Sequence, residues 1–366
     1  MRSVGVEEEL LLVEAESGQP LSVAAAVLAA AARDTACGTD HIFEKELKRE
    51  QVEFATRPVI AMEELAEEIR RWRSVAARHA EPAGAKVAAL ATSPLRVVSS
   101  TTPGERYQWM VERYGLTAQE QLTCGCHVHV SVASDEEGVA VLDRIRPWLP
   151  VLNAISSNSP FWQGQDSGYD SYRSRVWNRW PSAGPTEIFG SAARYHDQVS
   201  AMVGTGVLRD EGMIYFDARL SAHYPTVEVR VADVCLHPST TVLVAALVRG
   251  LVETAARAWQ AGEPPARISV SLLRLAAWRA ARSGLDGPLI HPATMREAPA
   301  RVVVNTLYEH VREALEDHRD AAAARQGIAE VFEHGNGARV QRELHRTTGD
   351  LGAVVRECAR ITTTAA

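Results

Sequence analysis

Every segment of this chain with extended side-chain periodicity lies before residue 235, and beyond Pro264-Pro265 the pattern is helical throughout. Such a chain must bury a sheet built from its first part against helices supplied by the rest. The regular strand–helix alternation of a parallel sheet is missing, so the expected class is α+β with an antiparallel or mixed sheet. Strands are expected over residues 4–13, in the region 41–56, and over 86–90, 121–132, 213–220 and 226–234, the last two paired across a turn at Tyr224-Pro225. Helices are expected from a Ser22 cap to about residue 33, and over 61–80, 104–114, 136–157, 191–203 and 239–261.

With 366 residues, 46% of them hydrophobic and 23% charged, the chain can bury a full core. Residues 1–366 read as one unit, with a sheet-rich catalytic part over 1–237 and a helical part over 238–366. The formal net charge of −7 offers no basic stripe, which argues against a nucleic-acid partner or an anionic membrane surface. The first residues, Met1-Arg2-Ser3-Val4-Gly5, run straight into an acidic strand without the apolar stretch of a secretory signal. No apolar run approaches the roughly 20 residues that span a bilayer. A cytoplasmic location is the expectation. The cysteines, Cys37, Cys124, Cys126, Cys235 and Cys358, are scattered rather than spaced as a secreted disulfide framework, and are expected to be reduced.

In Gly5-Val6-Glu7-Glu8-Glu9-Leu10 the strand period of two sets Glu7 and Glu9 on one face and Glu8 on the other. Carboxylates about 4 Å apart repel by roughly 1 to 4 kcal/mol, depending on the dielectric, and a cation between them removes that cost. Hard oxygen donors on a rigid strand suit magnesium or manganese. For this segment alone, a solvated acidic edge strand is the simpler reading. The region 41–56 adds Glu44, Glu46, Glu50 and Glu53, and the strand from Thr226 adds Glu228 and Arg230 on one face with valines opposite. A carboxylate and a guanidinium inside an apolar strand need each other or a ligand.

Cys124-Gly125-Cys126-His127-Val128-His129 packs thiols and imidazoles together, yet an extended chain turns the thiols to one face and the imidazoles to the other. One tetrahedral ion cannot collect all of them, which leaves His127 and His129 to face a metal or a phosphate. The stretch 160–185 is too long and aromatic for a simple linker, and such loops usually carry function. It sets Arg173, Arg175 and Arg179 among Trp177, Asn178 and Trp180. Arginine forks grip carboxylate or phosphate, and Arg219, after Asp217, could add another.

Taken in order, Gly-Val-Glu-Glu-Glu from Gly5, the segment from Glu50 to Glu53, Cys-Gly-Cys-His-Val-His-Val from Cys124, Asn178-Arg179-Trp180-Pro181 and Tyr-Pro-Thr-Val-Glu-Val-Arg from Tyr224 resemble the type 2 glutamate–cysteine ligases. These are carboxylate–amine ligases distantly related to glutamine synthetase. The resemblance runs from Gly5 to at least Cys235, and the short pieces Gly284-Leu285-Asp286-Gly287 and Gly335-Asn336-Gly337-Ala338 look like the family's tail. It implies a mainly antiparallel sheet curved into an open funnel, where ATP and glutamate meet over magnesium ions. It implies Glu7, Glu9, Glu53 and Glu228 as metal ligands, with Glu46 and His127 next. Arg230 and Arg219 would neutralise phosphate, and Arg173, Arg175 or Arg179 would take the substrate carboxylate. His129 and Asn178 would help to bind nucleotide or substrate, and the thiols are not expected to be catalytic. The implied reaction joins an amino-acid carboxylate to an amine through an acyl phosphate, with glutamate and cysteine the leading pair.

The chain has no Gly-x-x-x-x-Gly-Lys-Ser/Thr loop, so a nucleotide must be held by metals and by side chains on the sheet. Two other readings fit parts of the pattern. A metal-dependent amide hydrolase also uses His-x-His on a strand, but a barrel hydrolase would carry it early and follow it with strand–helix repeats. A non-catalytic sensor that keeps the ligase shape would bind ATP or glutamate without releasing ADP. A symmetric homodimer is the default assembly for a cytoplasmic enzyme.

Overall fold

A computed structural model describes residues 1–34 and 42–364 of the protein. Cys37 and the start of the expected second strand region at His41 lie outside them. The main sheet contains β1 (Val4–Glu14), β2 (Phe43–Lys45), β3 (Gln51–Ala55), β4 (Ala85–Ala88) and β5 (Gly125–Ser131). After a small hairpin of β6 (Phe161–Trp162) and β7 (Gln165–Asp166), β8 (Ala218–Leu220) and β9 (Thr226–Asp233) complete it. Its order is β2-β3-β1-β5-β9-β8, with β4 also pairing with β1 and every ladder antiparallel. The two ends of this order do not meet, so the sheet is open rather than a closed barrel.

Helices pack mainly on one face of the sheet, and two of them border the other. In chain order they are α1 (Ala24–Ala31), α2 (Met62–Ala80), α3 (Glu105–Tyr114), α4 (Leu116–Gln119), α5 (Asp135–Ile145), α6 (Leu149–Ser156), α7 (Arg173–Trp177) and α8 (Ala192–Gly204). The later part adds α9 (Pro238–Gln260), α10 (Val270–Ser283), α11 (Ala300–His318), α12 (Ala321–His334), α13 (Gly337–Thr348) and α14 (Leu351–Thr363). The period of two explains the sidedness. Val4 and Val6 of β1, Cys126, Val128 and Val130 of β5, and Val227 and Val229 of β9 enter one buried apolar cluster with α2, α5, α6 and α9. The residues between them face the opposite side.

Four expectations need correction. Ser22 does not cap α1, because its hydroxyl bonds the Glu50 carboxylate instead. The expected helix over 136–157 is two helices: α5 stops before Pro147, and α6 restarts with Pro150 in its first turn, where a missing N–H costs nothing. A ribbon of β10 (Pro288–Ile290) and β11 (Glu297–Pro299) interrupts the final helical part, too short and proline-bounded to leave a periodic signal. Finally, α9 is long and apolar enough to span a bilayer by composition, but 72% of its apolar window is buried inside the protein.

Glu8, between the two cavity-facing glutamates of β1, shows what the helical face demands of a charge. Its carboxylate receives Arg73 Nε at 2.7 Å and Arg73 Nη2 at 2.8 Å, and Thr241 Oγ1 donates to it at 2.6 Å. Arg73 lies on the stripe of α2 that also buries Leu65, Ile69, Trp72 and Ala76, and its other N–H groups donate to the carbonyls of Cys235 and Leu236. Neither side chain of the pair reaches solvent. Removing one partner of such a pair strands the other, a loss of about 3–5 kcal/mol. Glu8→Gln is therefore expected to lower the unfolding free energy by that amount, read as a lower urea midpoint at an unchanged slope; a loss under about 1 kcal/mol would mean that the pair does not pin α2 and α9 to the sheet.

Candidate active site

Strand register assembles the site on the face away from α2, α5, α6 and α9, where α3 and α7 border it. Glu53 stands directly opposite Glu9 on one side and Glu44 on the other. One row further on, Glu7 is opposite His127, and in the next row Glu228 is opposite both His129 and Arg219. Directly opposed side chains in an antiparallel sheet lie about 4.5–5.5 Å apart at Cβ, and like charges there are destabilising. Glu46, just past β2, joins the first row by hydrogen bonding to Glu53.

The acidic row is crowded and partly enclosed, with Glu9 buried and Glu46 and Glu53 half-buried. Ligand-capable oxygens of Glu9, Glu46 and Glu53 lie within 4.8 Å of one another, as do the donor atoms of Glu7, Glu53 and His127, and those of Glu7, His129 and Glu228. Burial, reinforced by the charge of Glu46, pushes the Glu9 carboxyl up to about 7. The same two causes, joined by Glu7, hold Glu53 well above the usual carboxylate range. Glu7 behaves differently: burial would raise it, but hydrogen bonds with His127 and His129 outweigh that and keep it well below its ordinary value. His127 Nδ1 is 3.1 Å from Glu7 Oε2, while burial and the nearby Arg230 lower the imidazole to about 4. Its Nε2 is buried without any hydrogen-bond partner. Clustered carboxylates whose mutual repulsion favours a bound positive charge, beside an imidazole whose Nε2 has no hydrogen-bond partner, form a donor set that fits hard divalent ions.

Positive charge lies at the other end of the same cavity. Arg219 Nε donates to Glu228 Oε2 at 2.6 Å, and Arg230 also pairs with Glu228. The two arginines override burial and hold that carboxyl far below its ordinary range. The structural Glu228–Arg230 pair considered from sequence is thus present, and the same carboxylate still faces Glu7 and His129. Arg173 and Arg230 approach the Trp177 ring with guanidinium carbons 5.6 and 5.8 Å from its centre. Gly125 makes room for this: a Cβ there would sit 2.2 Å from Arg173 Nη2. Its N–H donates to Glu9 Oε2 at 2.6 Å. The space between the acidic row and the arginines is about 1040 Å³ including its mouth. A second opening of about 720 Å³ shares Glu7 and Arg219 with it and is walled by His129, Tyr195, His196, His223 and Tyr224.

The sequence-derived residues divide clearly. Glu7, Glu9, Glu46, Glu53, His127, Arg219 and Arg230 line the acidic cavity, and His129 and Glu228 line the second opening. Arg173 and Asn178 line a smaller adjoining space. Arg179 is not among them, because it turns outward and pairs with Glu120 at 2.6 Å. Arg175 lines none of the three and acts on Asp217. Glu50 points to Ser22 and the Ser100 amide, away from the acidic row. The two thiols do not share a face as alternation implied: Cys126 is buried on the helical side near Glu8 and Arg73, whereas Cys124, just before β5, turns its thiol toward Gln51 on the cavity side, and burial pushes both well above their ordinary value. Arg106 and Tyr107 of α3, with Gln51, Gln121 and Tyr215, enter the cavity without any sequence motif to mark them.

The arginine loop is held from below. Asp233, at the end of β9, accepts from Asn158 N at 2.8 Å, Ser159 Oγ at 2.7 Å and Ser171 Oγ at 2.9 Å, and Ser159 Oγ in turn accepts Arg173 N at 2.9 Å. The helical tail closes over this junction through Gln341, which donates to Asn158 Oδ1 at 2.7 Å. Gly337 is required there, since a Cβ would fall 2.0 Å from the same oxygen.

The glutamate–cysteine ligase family 2 model matches residues 3–358. The chain belongs to that family. A relative from Streptomyces avermitilis, provisionally named glutamate–cysteine ligase 2-1, is 63% identical over 99% of each chain. An ATP-dependent carboxylate–amine ligase is the function class that family membership carries. Among solved structures, a glutamate–cysteine ligase from Francisella tularensis in complex with AMP shares the fold with a TM-score of 0.67 at 12% identity, covering 100% of this chain and 89% of that one. A bifunctional glutathione synthetase from Pasteurella multocida gives 0.71 at 15% identity, covering 98% of this family member but only 52% of the Pasteurella chain.

The acidic row makes a pH prediction. Glu9 holds its proton more tightly folded than unfolded, so its stabilising effect is complete below the ordinary carboxylate range and is lost as pH rises through about 7. Glu53 acts in the same direction. Metal-free protein should therefore melt at a lower temperature near pH 8.5 than near pH 7, and magnesium should raise the melting temperature more at the higher pH, where it no longer competes with protons. A magnesium effect that is equal or smaller at the higher pH would contradict the cation-site reading.

Proposed function

We propose that this protein joins glutamate to an amine, cysteine foremost, through an acyl phosphate, with ATP and magnesium or manganese held over the acidic row. The observation that carries this reading is the partly buried convergence of Glu9, Glu46 and Glu53 within 4.8 Å, facing Arg219 and Arg230 across one cavity. Glu9, Glu46 and Glu53 would hold one cation, Glu7, Glu53 and His127 another, and Glu228 with Glu7 and His129 a further position. Divalent ions there would neutralise the charge that spreads over a transferring phosphoryl group. Glu228 fixes the headings of Arg219 and Arg230, which direct positive charge into the same space. Arg106 and Tyr107 border it from α3 and help to exclude water. The side chains thus align and neutralise rather than form a covalent bond to the substrate. The AMP complex of the Francisella ligase supports a nucleotide-binding role for this fold. A cytoplasmic location and a homodimer belong to the same proposal.

The test is release of ADP and phosphate from ATP with magnesium and a panel of amino acids. Release should require an acid and an amine together; ATP binding without release across the panel would favour a sensor, and product formation without ATP a hydrolase. Glu228→Gln should keep the fold by circular dichroism and lower kcat/KM for ATP by about 10²-fold or more. Turnover equal to the parent's would remove Glu228 from the site.

A further inference from the structure

The rows of the sheet follow one another along the strands. Arg219, Glu228 and His129 stand at one level, Glu7 and His127 at the next, and Glu9, Glu53 and Glu44 at the third. One level further on, Gln51 stands opposite Leu11, and its amide nitrogen donates to Thr123 O at 2.8 Å and to Cys124 Sγ at 3.6 Å. Gln51, Thr123 and Gln121 all line the acidic cavity, so on the side away from Arg219 the acidic row gives way to neutral polar groups. The cavity's free volume, about 340 Å³, seats an amino acid.

Gln121 leaves a demand unmet there. It is 4% exposed, and its amide nitrogen donates to Thr123 Oγ1 at 2.6 Å, which holds the amide at the level of Thr123. The amide oxygen is buried without a hydrogen-bond partner among the described residues. A buried acceptor left in that state is costly, and a ligand that brings an N–H to it relieves the cost. Two residues along a strand span about 6.5 Å, close to the reach of an extended glutamate from its γ-carboxylate to its α-nitrogen. A carboxylate seated at the acidic row therefore sets that nitrogen beside Gln121.

We propose that this neutral row selects the acid substrate: with the reacting carboxylate over the acidic row, the α-ammonium group of the acid donates to Gln121 Oε1. The assignment rests on the ligase reading above. It names the ligand class as an α-amino acid that carries a second carboxylate. It also sets acid and nucleotide on opposite sides of the acidic row, because the phosphates belong with Arg219 and Arg230. An acid of the same length without the amino group leaves the buried acceptor unpaired and is rejected for that reason.

The test supplies ATP, magnesium and hydroxylamine as a fixed small amine, and compares each acid of the panel with its analogue lacking the α-amino group, glutamate with glutarate first. The parent should prefer the amino acid by about 10- to 100-fold in kcat/KM. Gln121→Met should cut that preference to a few-fold by weakening glutamate rather than glutarate, whereas Gln121→Glu, which keeps an acceptor there, should retain it. A parent that uses the analogue as well as the amino acid, or a Met variant with the parent's preference, overturns the proposal. So does a Met variant whose KM for ATP rises as much as its KM for glutamate, since nucleotide would then occupy the row. A parent that releases ADP with no acid of the panel overturns the ligase reading instead. Titration calorimetry with magnesium and a non-hydrolysable ATP analogue repeats the glutamate–glutarate comparison in the parent without turnover, and it decides the matter should the Met variant lose its fold by circular dichroism.

Discussion

Repulsion among crowded, partly buried carboxylates is the constraint on which the structure depends. Antiparallel register sets Glu44, Glu53 and Glu9 in one row, and Glu46 closes on them from the end of β2. Burial and neighbouring carboxylates raise Glu9, Glu46 and Glu53 alike, so the row favours binding positive charge, a proton or a cation. A protein gains nothing from such a cluster unless binding relieves it. The rest of the fold supplies the rigidity that keeps the row from splaying. Glu8, locked to Arg73 and Thr241, fixes the β1 backbone from the helical side, so Glu7 and Glu9 cannot turn away from the cavity.

Charge changes sign along the cavity, from the acidic row to Arg219 and Arg230, with Glu7, His127 and Glu228 between. Such a gradient suits a substrate whose own charge is arranged lengthwise, as a metal-bound polyphosphate is. The same geometry separates the roles of two kinds of arginine. Arg219 and Arg230 share Glu228 and line the large cavity, Arg230 reaching the small one as well, whereas Arg173 is held deeper, by Ser159 and the Asp233 network, and borders only the small one. That network also joins the sheet to the helical tail, since Asn158 contacts both Asp233 and Gln341.

Much of this was legible from periodicity. The face assignments of Glu7, Glu8, Glu9, His127, His129, Glu228 and Arg230 follow from alternation alone, and all of them hold in the folded sheet. Register was not legible: no local pattern says that Glu53 lies opposite Glu9 rather than Glu7, or that Glu228 meets His129. Loop side chains were least legible. Arg179 lies in the same motif as Trp180, but a short helix over Arg173–Trp177 turns it toward Glu120 and solvent. Arg106, Tyr107 and Asp217 belong to segments without a repeating chemical pattern, and only long-range packing brings them to the cavities. The two glycine-rich pieces of the tail carried no chemistry in the sequence. For both the folded chain supplies a reason: a Cβ at Gly284 would fall 2.0 Å from Asp170 Oδ2, and one at Gly337 2.0 Å from Asn158 Oδ1.

The central claim is that the acidic row is a seat for divalent cations, and a crystal grown with manganese and a non-hydrolysable ATP analogue tests it most directly by anomalous scattering. The account predicts an anomalous peak bounded by Glu9, Glu46 and Glu53, with oxygen distances of about 2.0–2.3 Å, and a further peak near Glu7 and His127. Clear density for the nucleotide in the cavity with no anomalous peak beside those carboxylates would contradict it.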